Sequence, residues 1–522
     1  MISSLLSIGW IFFYKTNHKY DYKYPETDFG IFLDIQYAMN INDFETASKL
    51  SKKDLKNFNT DDIKILSSFM NGELIPIKDK KININTLALE FIKDAEYIKN
   101  NDWQSVYKRH NKDNVVLMAP FKIWSSIAIG KHDEAIKYIL KLKTSSSLKN
   151  FLLGQIYSEK GEIKKAAYHF SNVKTDFMNL NDYLYISSFY NKYKFKNTLK
   201  NFKNKFSDTP LSSFVIKKDI YLDWDNFSGL SNQLAFNIIQ NLSHTDLLKY
   251  SNLSLIMLRF AEIIQNNQTN KDIIFFYLGQ YFLNNNGKYH LFFNQINDNS
   301  FFKPFVEMLK TEKSDDLKEL DKIVKKNPLF LPGIYKLVLK HIQKGEEKKA
   351  IQLINKSLED TDLKDTSRIF LLKLLLKSYL AFNNLNKAQD ILDEILKINK
   401  KKDIDYILSQ SLIWVKNKEQ IEEAYKNAIL IIKNNSSSID AWIVLGYAVR
   451  EKEGVNSAIE VISRVGKISS TNSHLFELLG DLYKEINKNE EAKKAYLKAK
   501  ELSNDGNSSI PELDKKIKKL KT

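Results

Sequence analysis

The chain has 522 residues, of which 43% are hydrophobic, enough apolar material for a continuous core. It contains no cysteine, which excludes disulfides, thiolate metal ligands, cysteine nucleophiles and the lipid-modified cysteine of a bacterial lipoprotein. The formal net charge is +16, yet only five of the 79 cationic residues are arginine, the residue that best pairs with phosphates and base edges. Net charge therefore does not by itself indicate a nucleic-acid partner.

The chain begins with an uncharged, mostly apolar run, residues 1–14, which Lys15 ends. A helix of this length reaches about 20 Å, short of the roughly 30 Å hydrocarbon core of a bilayer. The length suits a signal-like or anchor segment, although no basic residues precede it and no small-residue cleavage motif follows. We predict that residues 1–14 direct export or membrane attachment, with a first buried helix as the alternative. The polar residues 15–28 are predicted to form a tether.

Residues 29–180 carry a weak repeat of paired helices. Its clearest copy runs from Leu153-Gly154 through Gly161 to Ala166 and Phe170. Small residues at similar points of weaker copies are Ala38, Ala47, Gly130 and Ala135. We predict several helical hairpins in this region.

Residues 181–312 are the least regular part of the chain, and we predict divergent helical repeats there, with an inserted domain as the alternative. Within them, residues 192–205 interleave lysines with aromatic residues and contain no acid. The lysines are Lys192, Lys194, Lys196, Lys200, Lys203 and Lys205. This pattern is typical of a solvated helix face above core aromatics, and the alternative is a surface for anionic lipid or nucleic acid.

Residues 313–505 contain the strongest pattern. Ala424, Ala458 and Ala492 lie 34 residues apart. Around the last two are Trp442, Leu445-Gly446, Val449, Ile462 and Phe476, Leu479-Gly480, Tyr483, Tyr496. This is the W-x2-L-G-x2-Y then A-x3-F pattern, and the chain therefore resembles tetratricopeptide repeat proteins. We expect the alanines between the paired helices and the Leu-Gly pairs where the next repeat packs. Residues 506–522 are predicted to be a basic C-terminal tail or capping helix.

The resemblance implies an all-α fold, a right-handed α-solenoid of stacked helical hairpins, because one hairpin cannot bury its apolar face alone. Proteins of this family usually hold other proteins and rarely do chemistry. The sequence has no nucleophile-elbow, dinucleotide-binding or P-loop motif, and its eight histidines have no ligand-like spacing. We therefore predict no enzyme activity, no cofactor and no metal site.

In this family the first helix of each pair lines a concave groove that binds partners. The positions of this chain that match the family pattern are Tyr406, Ile413, Ile443, Tyr447, Arg450, His474, Glu477, Asp481 and Lys484. The lysines and asparagines that clamp a chaperone C-terminus in some relatives are replaced by residues such as Ser409 and Ile413. Chaperone tails are therefore not the predicted partners.

At its C-terminus the chain has a last repeat followed by a basic helix. In this respect it also resembles exported or membrane-anchored tetratricopeptide proteins of alphaproteobacteria and other Gram-negative bacteria. Some of these hold a processing protease in the periplasm. The resemblance implies a protein-binding scaffold at the bacterial cell envelope, in the periplasm or on a membrane, with protease adaptor as one form of that role. The alternatives are a soluble cytoplasmic interaction or regulatory module and an anionic lipid or nucleic-acid binder that uses residues 192–205.

Overall fold

The structure, a computed structural model, describes residues 27–53, 55, 61–77, 87–112, 118–174, 178–206, 224, 227–243, 252–265, 271–285, 287–314, 317–360, 363–468, 472–503 and 513–520. Within these ranges every regular element is a helix and no strand occurs. The prediction of an all-α solenoid built from helical hairpins is confirmed. The apolar segment 1–14 and most of the proposed tether lie outside the described residues.

The described helices are numbered here in chain order. They are α1 (Asp28–Asn40), α2 (Phe44–Ser51), α3 (Asp61–Met70), α4 (Leu87–Lys99), α5 (Trp103–His110), α6 (Ala119–Ala128), α7 (His132–Lys141), α8 (Ser146–Glu159), α9 (Ile163–Ser171), α10 (Leu180–Lys192), α11 (Lys196–Phe206), α12 (Leu230–Ser243), α13 (Asn252–Ile264), α14 (Lys271–Asn284), α15 (His290–Phe293), α16 (Lys303–Ser314), α17 (Leu317–Lys326), α18 (Leu331–Gln343), α19 (Glu347–Leu358), α20 (Asp365–Ala381), α21 (Leu385–Asn399), α22 (Ile404–Asn417), α23 (Ile421–Asn434), α24 (Ile439–Glu453), α25 (Val455–Ile468), α26 (Ser473–Glu485), α27 (Asn489–Ser503) and α28 (Leu513–Lys519).

The chain divides into two compact units. One contains Met1–Glu162 and Asp225–Ile296, and the other contains Ile163–Trp224 and Asn297–Thr522. The first unit therefore holds α1–α8 and α12–α15, and the second holds α9–α11 and α16–α28.

In the first unit a chain of buried amides joins α12 to α6 and α8. Trp124 Nε1 donates to Asn237 Oδ1 at 2.7 Å, and Asn237 Nδ2 donates to Gln155 Oε1 at 2.9 Å. Gln155 Nε2 in turn donates to Gln233 Oε1 at 2.9 Å. Because buried polar groups are costly unless they are paired, these bonds specify which helices meet, even though the repeat pattern of this region is weak.

In the basic stretch of the second unit, residues 192–205, the aromatic side chains and the lysine side chains have different surroundings. The aromatic rings turn inward: Phe202 is buried and Phe195 packs on Phe189 at 6.3 Å between ring centroids. The exposed lysines are Lys192, Lys194, Lys196 and Lys200. These rings are not presented as stacking platforms for bases, so the geometry favours a solvated face. The side chain of Lys205 is outside the described residues.

Five successive hairpins run from α18 to α27 in the second unit. Each second helix carries an alanine with 0% exposure at the same point: Ala350, Ala388, Ala424, Ala458 and Ala492. A methyl side chain lets the two helices of a hairpin approach closely, while larger neighbours fill the space beside it. The prediction that Ala458 and Ala492 are buried is confirmed.

The glycine of each Leu-Gly pair serves a contact that the sequence pattern did not predict. A Cβ on Gly480 would lie 2.5 Å from the ring of Tyr496, on the second helix of the same repeat. A Cβ on Gly446 would meet Ile462 at 2.6 Å and Leu478 of the next repeat at 3.1 Å. The main reason for the small residue is therefore the large side chain four residues after the buried alanine, and packing of the next repeat is secondary.

Replacing Gly480 with alanine should lower the free energy of unfolding by about 1–3 kcal/mol, because the new methyl group overpacks against Tyr496. Gly466→Ala in α25 is the matched control, since its Cβ would meet nothing closer than 3.7 Å. That substitution should be neutral or stabilise by about 0.5–1 kcal/mol through helix propensity. Urea unfolding followed by circular dichroism measures both, and equal effects of the two substitutions would contradict this packing account.

Candidate partner-binding groove

The first helices of four successive hairpins, α20, α22, α24 and α26, surround one cavity together with the terminal helix α28. Its volume is about 1090 Å³. Polar side chains from each of these elements line it, including Lys373, Ser409, Asp440, His474 and Lys516. The cavity thus crosses successive repeats and is not enclosed within one of them.

Eight of the nine residues placed in the groove from the sequence line this cavity. They are Tyr406, Ile443, Tyr447, Arg450, His474, Glu477, Asp481 and Lys484. Ile413 is the exception: its side chain is 2% exposed and packs in the core, and Leu412 lines the cavity instead. On α22 the residues that line the cavity are spaced from Ser409 to Leu412 and then to Lys416, so the side chain of Ile413 falls on the core side of the helix.

Arg450 is held by carboxylates on two helices. Its Nε lies 2.8 Å from Glu485 Oε2 on α26, and its Nη1 lies 2.9 Å from Glu451 Oε1 on α24. The hydrogen bond that Arg450 donates to Glu485 raises the pKa of Arg450, against a smaller opposing effect of burial. Arg450 therefore joins two adjacent groove helices, α24 and α26, at the cavity wall.

The acidic end of the groove is occupied by Lys516 of α28. Lys516 Nζ lies 2.8 Å from Glu477 Oε1 and 2.9 Å from both carboxylate oxygens of Asp481. Asp481 Oδ1 also accepts a 2.6 Å hydrogen bond from Tyr496. Both acids lie on α26, one helical turn apart, and they face the same cation.

The charges around Glu477 stabilise its ionised form. Burial alone would raise the pKa of Glu477, but His474 and Lys516 outweigh burial and lower it from 4.5 to about 2. Likewise, burial would lower the pKa of Lys516, while the charges of Glu477 and Asp481 raise it above 10.5. The contribution of Glu477 to stability is therefore fully present above pH 4.5 and is lost as the pH falls towards 2.

Two other cations of the cavity wall have no such pairing. Within the described part of the chain, neither Lys416 nor Lys484 forms an ion pair or a side-chain hydrogen bond. Burial lowers the pKa of Lys416. Between them in the cavity wall lies Tyr447, whose pKa is raised by burial first and by the charges of Glu477 and Asp481 second. Lys416 and Lys484 therefore remain available to carboxylates of a ligand.

The lysines of the terminal helix are the groove residues that sequence reasoning missed. Lys515, Lys516 and Lys519 all line the cavity, as does Lys373 of α20. The repeat pattern contains no information about them, because α28 follows the last repeat. A usable signal was present: a short basic segment follows the last repeat, whose first helix α26 carries Glu477 and Asp481 one helical turn apart.

The described residues contain no group of three or more histidine, aspartate or glutamate side chains that could hold a metal ion. None of the described helices combines the length and the apolar character needed to cross a bilayer.

The family model for the tetratricopeptide repeat matches residues 473–505, which comprise α26, α27 and the turn between them. Residues 473–505 form a tetratricopeptide repeat. The acidic end of the cavity, including Glu477 and Asp481, thus lies on the first helix of a tetratricopeptide hairpin.

Over 180 residues the chain is 27% identical to the ancillary SecYEG translocon subunit of Buchnera aphidicola, an alignment that covers 33% of this chain and 91% of that protein. Similar solved structures include the Cut9–Hcn1 hetero-tetramer of the APC/C, at 14% identity and a TM-score of 0.33, with 95% of this chain and 96% of that chain covered. Yeast Tom70 is similar at 12% identity and a TM-score of 0.26, with 95% of each chain covered.

Proposed function

We propose that this chain is a non-enzymatic tetratricopeptide scaffold that holds a segment of a partner protein in the cavity lined by α20, α22, α24 and α26. The cavity itself carries the proposal. Aromatic, cationic and anionic side chains from successive first helices converge on it, and its volume of about 1090 Å³ exceeds the range of about 300–1,000 Å³ that is typical of small-molecule pockets. Such a surface suits a peptide segment that crosses several repeats.

Tyr447 and Lys484 are the strongest contact residues for this segment. Tyrosine is enriched at interface hot spots, where truncation of one side chain costs 2 kcal/mol or more. Lys484 is exposed and forms no ion pair within the described residues, so its removal leaves no carboxylate of this chain stranded. His474 and Arg450 flank them in the cavity wall, but Arg450 also holds α24 to α26, and its substitution would alter the scaffold itself.

The double variant Tyr447→Ala, Lys484→Ala is expected to weaken partner binding by at least about tenfold, with the fold unchanged. The matched control is Tyr168→Ala, Lys164→Ala, which removes the same residue types from the exposed surface of α9, outside the cavity lining. Binding is measured by calorimetry with the partner that the native protein retains from its own cell extract. If the groove variant and the control bind alike, the cavity is not the binding site.

The anionic-surface alternative is tested in the same series by changing Lys194, Lys196 and Lys200 to glutamate. Under the scaffold proposal this variant keeps its protein partner. Loss of binding by the lysine variant alone, with affinity that falls steeply with salt, would favour a nucleic acid or lipid ligand instead.

We also propose that the scaffold acts at the cell envelope, attached through residues 1–14. The support is the uncharged apolar run and the similarity to a protein named as an ancillary translocon subunit. A protease-adaptor role is one form of this proposal, and the identity of the retained partner distinguishes it from others. Fractionation of native cells should find the protein with membranes or in the periplasm. A wholly cytoplasmic protein with an intact N-terminus would refute this location and favour the cytoplasmic interaction module.

A further inference from the structure

The terminal helix α28 occupies part of the groove assigned to partners. Lys516, Lys515 and Lys519 all line the cavity, and Lys516 is paired with two of the predicted groove residues, Glu477 and Asp481. The Lys516 ammonium also lies 5.6 Å from the ring centroid of Tyr496, on the face of that ring. The C-terminal helix of the chain thus supplies the cation that pairs with the acidic residues of the chain's own groove.

α28 contacts the last hairpin as a single short helix, in the way that a bound peptide would, and not as a further two-helix repeat. α28 has seven residues, and its apolar side rests on the last hairpin through Leu513, Ile517 and Leu520. Only Leu513 of these is fully buried, at 5% exposure. Leu513, Ile517 and Leu520 are spaced i, i+4 and i+7 and pack on the hairpin. Lys516, at i+3, contacts Glu477 and Asp481.

The polar half of the contact is only partly shielded from water. The side chains of Lys516, Glu477 and Asp481 are 31%, 21% and 38% exposed. Water reaches these ion pairs and screens them, although Lys516 helps to lower the pKa of Glu477. A seven-residue helix with one fully buried side chain adds only a small apolar contact. The docked helix is therefore displaceable, unlike the repeats beneath it.

We propose that α28 is a self-ligand that competes with partners for the acidic end of the groove, and that the partner segment fitting this end is a short basic amphipathic helix of the same pattern. This inference rests on the proposed function, because it takes the cavity to be a partner-binding surface. A tethered ligand acts at high effective concentration, so the chain binds such a segment weakly until α28 is displaced. The partner that succeeds must supply its own cation to Glu477 and Asp481.

The probe is a fluorescent peptide with the sequence of residues 511–522, titrated into the full chain. Lys516→Glu in the chain places a carboxylate against Glu477 and Asp481 and should undock α28. The peptide should then bind at least about tenfold more tightly than to the parent chain. Lys518→Glu is the matched control, with the same charge change at an exposed position of α28 outside the cavity lining, and it should bind as the parent does. Lys516→Arg keeps a cation and should also behave as the parent.

A second arm tests the acids. Asp481→Asn added to Lys516→Glu should abolish the gain in peptide affinity. Hydrogen exchange of the amides of residues 513–519 reports independently whether α28 is docked. Equal or absent peptide binding by the parent and the Lys516→Glu chain would overturn the self-ligand proposal, as would an equal gain from Lys518→Glu. If the Tyr447, Lys484 variant loses its native partner while Lys516→Glu changes neither peptide nor partner binding, the scaffold function stands and this inference fails.

Discussion

Replacing Asp94 with alanine is expected to lower the free energy of unfolding of the first unit by about 3–5 kcal/mol, because it removes the buried carboxylate that the buried His110 and the partly buried Arg109 share. Asp94 on α4 is 1% exposed and lies 2.7 Å from Arg109 Nε and 2.8 Å from His110 Nε2, both on α5. His110 is itself buried and stacks on Phe121 at 4.8 Å between centroids. Removal of the carboxylate leaves both side chains without their shared acceptor.

The control for Asp94 is Glu90→Ala, one turn earlier on the same helix. Glu90 also pairs with Arg109, but its side chain is 38% exposed, so its loss should cost less than about 1 kcal/mol. Chemical denaturation of the two variants measures the difference. Equal costs would show that burial of Asp94 does not dominate the energetics of this cluster.

The second large effect is expected at Tyr496, where alanine should destabilise the C-terminal hairpins by about 3–5 kcal/mol. The ring is 0% exposed, packs against the backbone at Gly480 and donates its hydroxyl proton to Asp481. Tyr496→Phe keeps the ring and removes only that hydrogen bond, so it should cost about 1 kcal/mol. Both variants are compared with the parent by urea unfolding.

A double-mutant cycle separates the packing contribution of Tyr496. Gly480→Ala is costly only because its new methyl group meets this ring, so the cost should vanish in the Tyr496→Ala background. An unchanged cost in that background would mean that Gly480 is required for a different reason, such as the geometry of its own helix.

The repeat pattern predicted the features that depend on contacts within one hairpin. Ala458 and Ala492 are buried where the 34-residue spacing puts them, and the first helices line the cavity. These outcomes follow because each repeat packs mainly on its neighbours, so a local pattern in the sequence describes a local contact in space. By the same reasoning the sequence placed Tyr447 and Glu477 on the face of the first helices that lines the cavity.

Other features had no local signal. Asp94 joins Arg109 and His110 through an ion-pair cluster, whose formation depends on the crossing of α4 and α5 and not on any motif. Leu412 and Ile413 are adjacent apolar residues on α22, and the sequence does not distinguish them. An error of one residue in the position of the helix face places Ile413 in the groove instead of Leu412. Lys516 reaches acids 35 and 39 residues earlier, after the last repeat has ended, so the periodicity did not predict its contact.

The central claim, that the cavity holds a partner protein, is tested most directly by photo-crosslinking from inside it. A benzophenone amino acid replaces Tyr447 in one full-length chain and the exposed Tyr168 in another, and both are irradiated in native extract. The scaffold account predicts one protein adduct from position 447, mapped by mass spectrometry to a single segment of that protein, and none of the same adduct from position 168. No adduct at 447, or the same adducts from both positions, would contradict it.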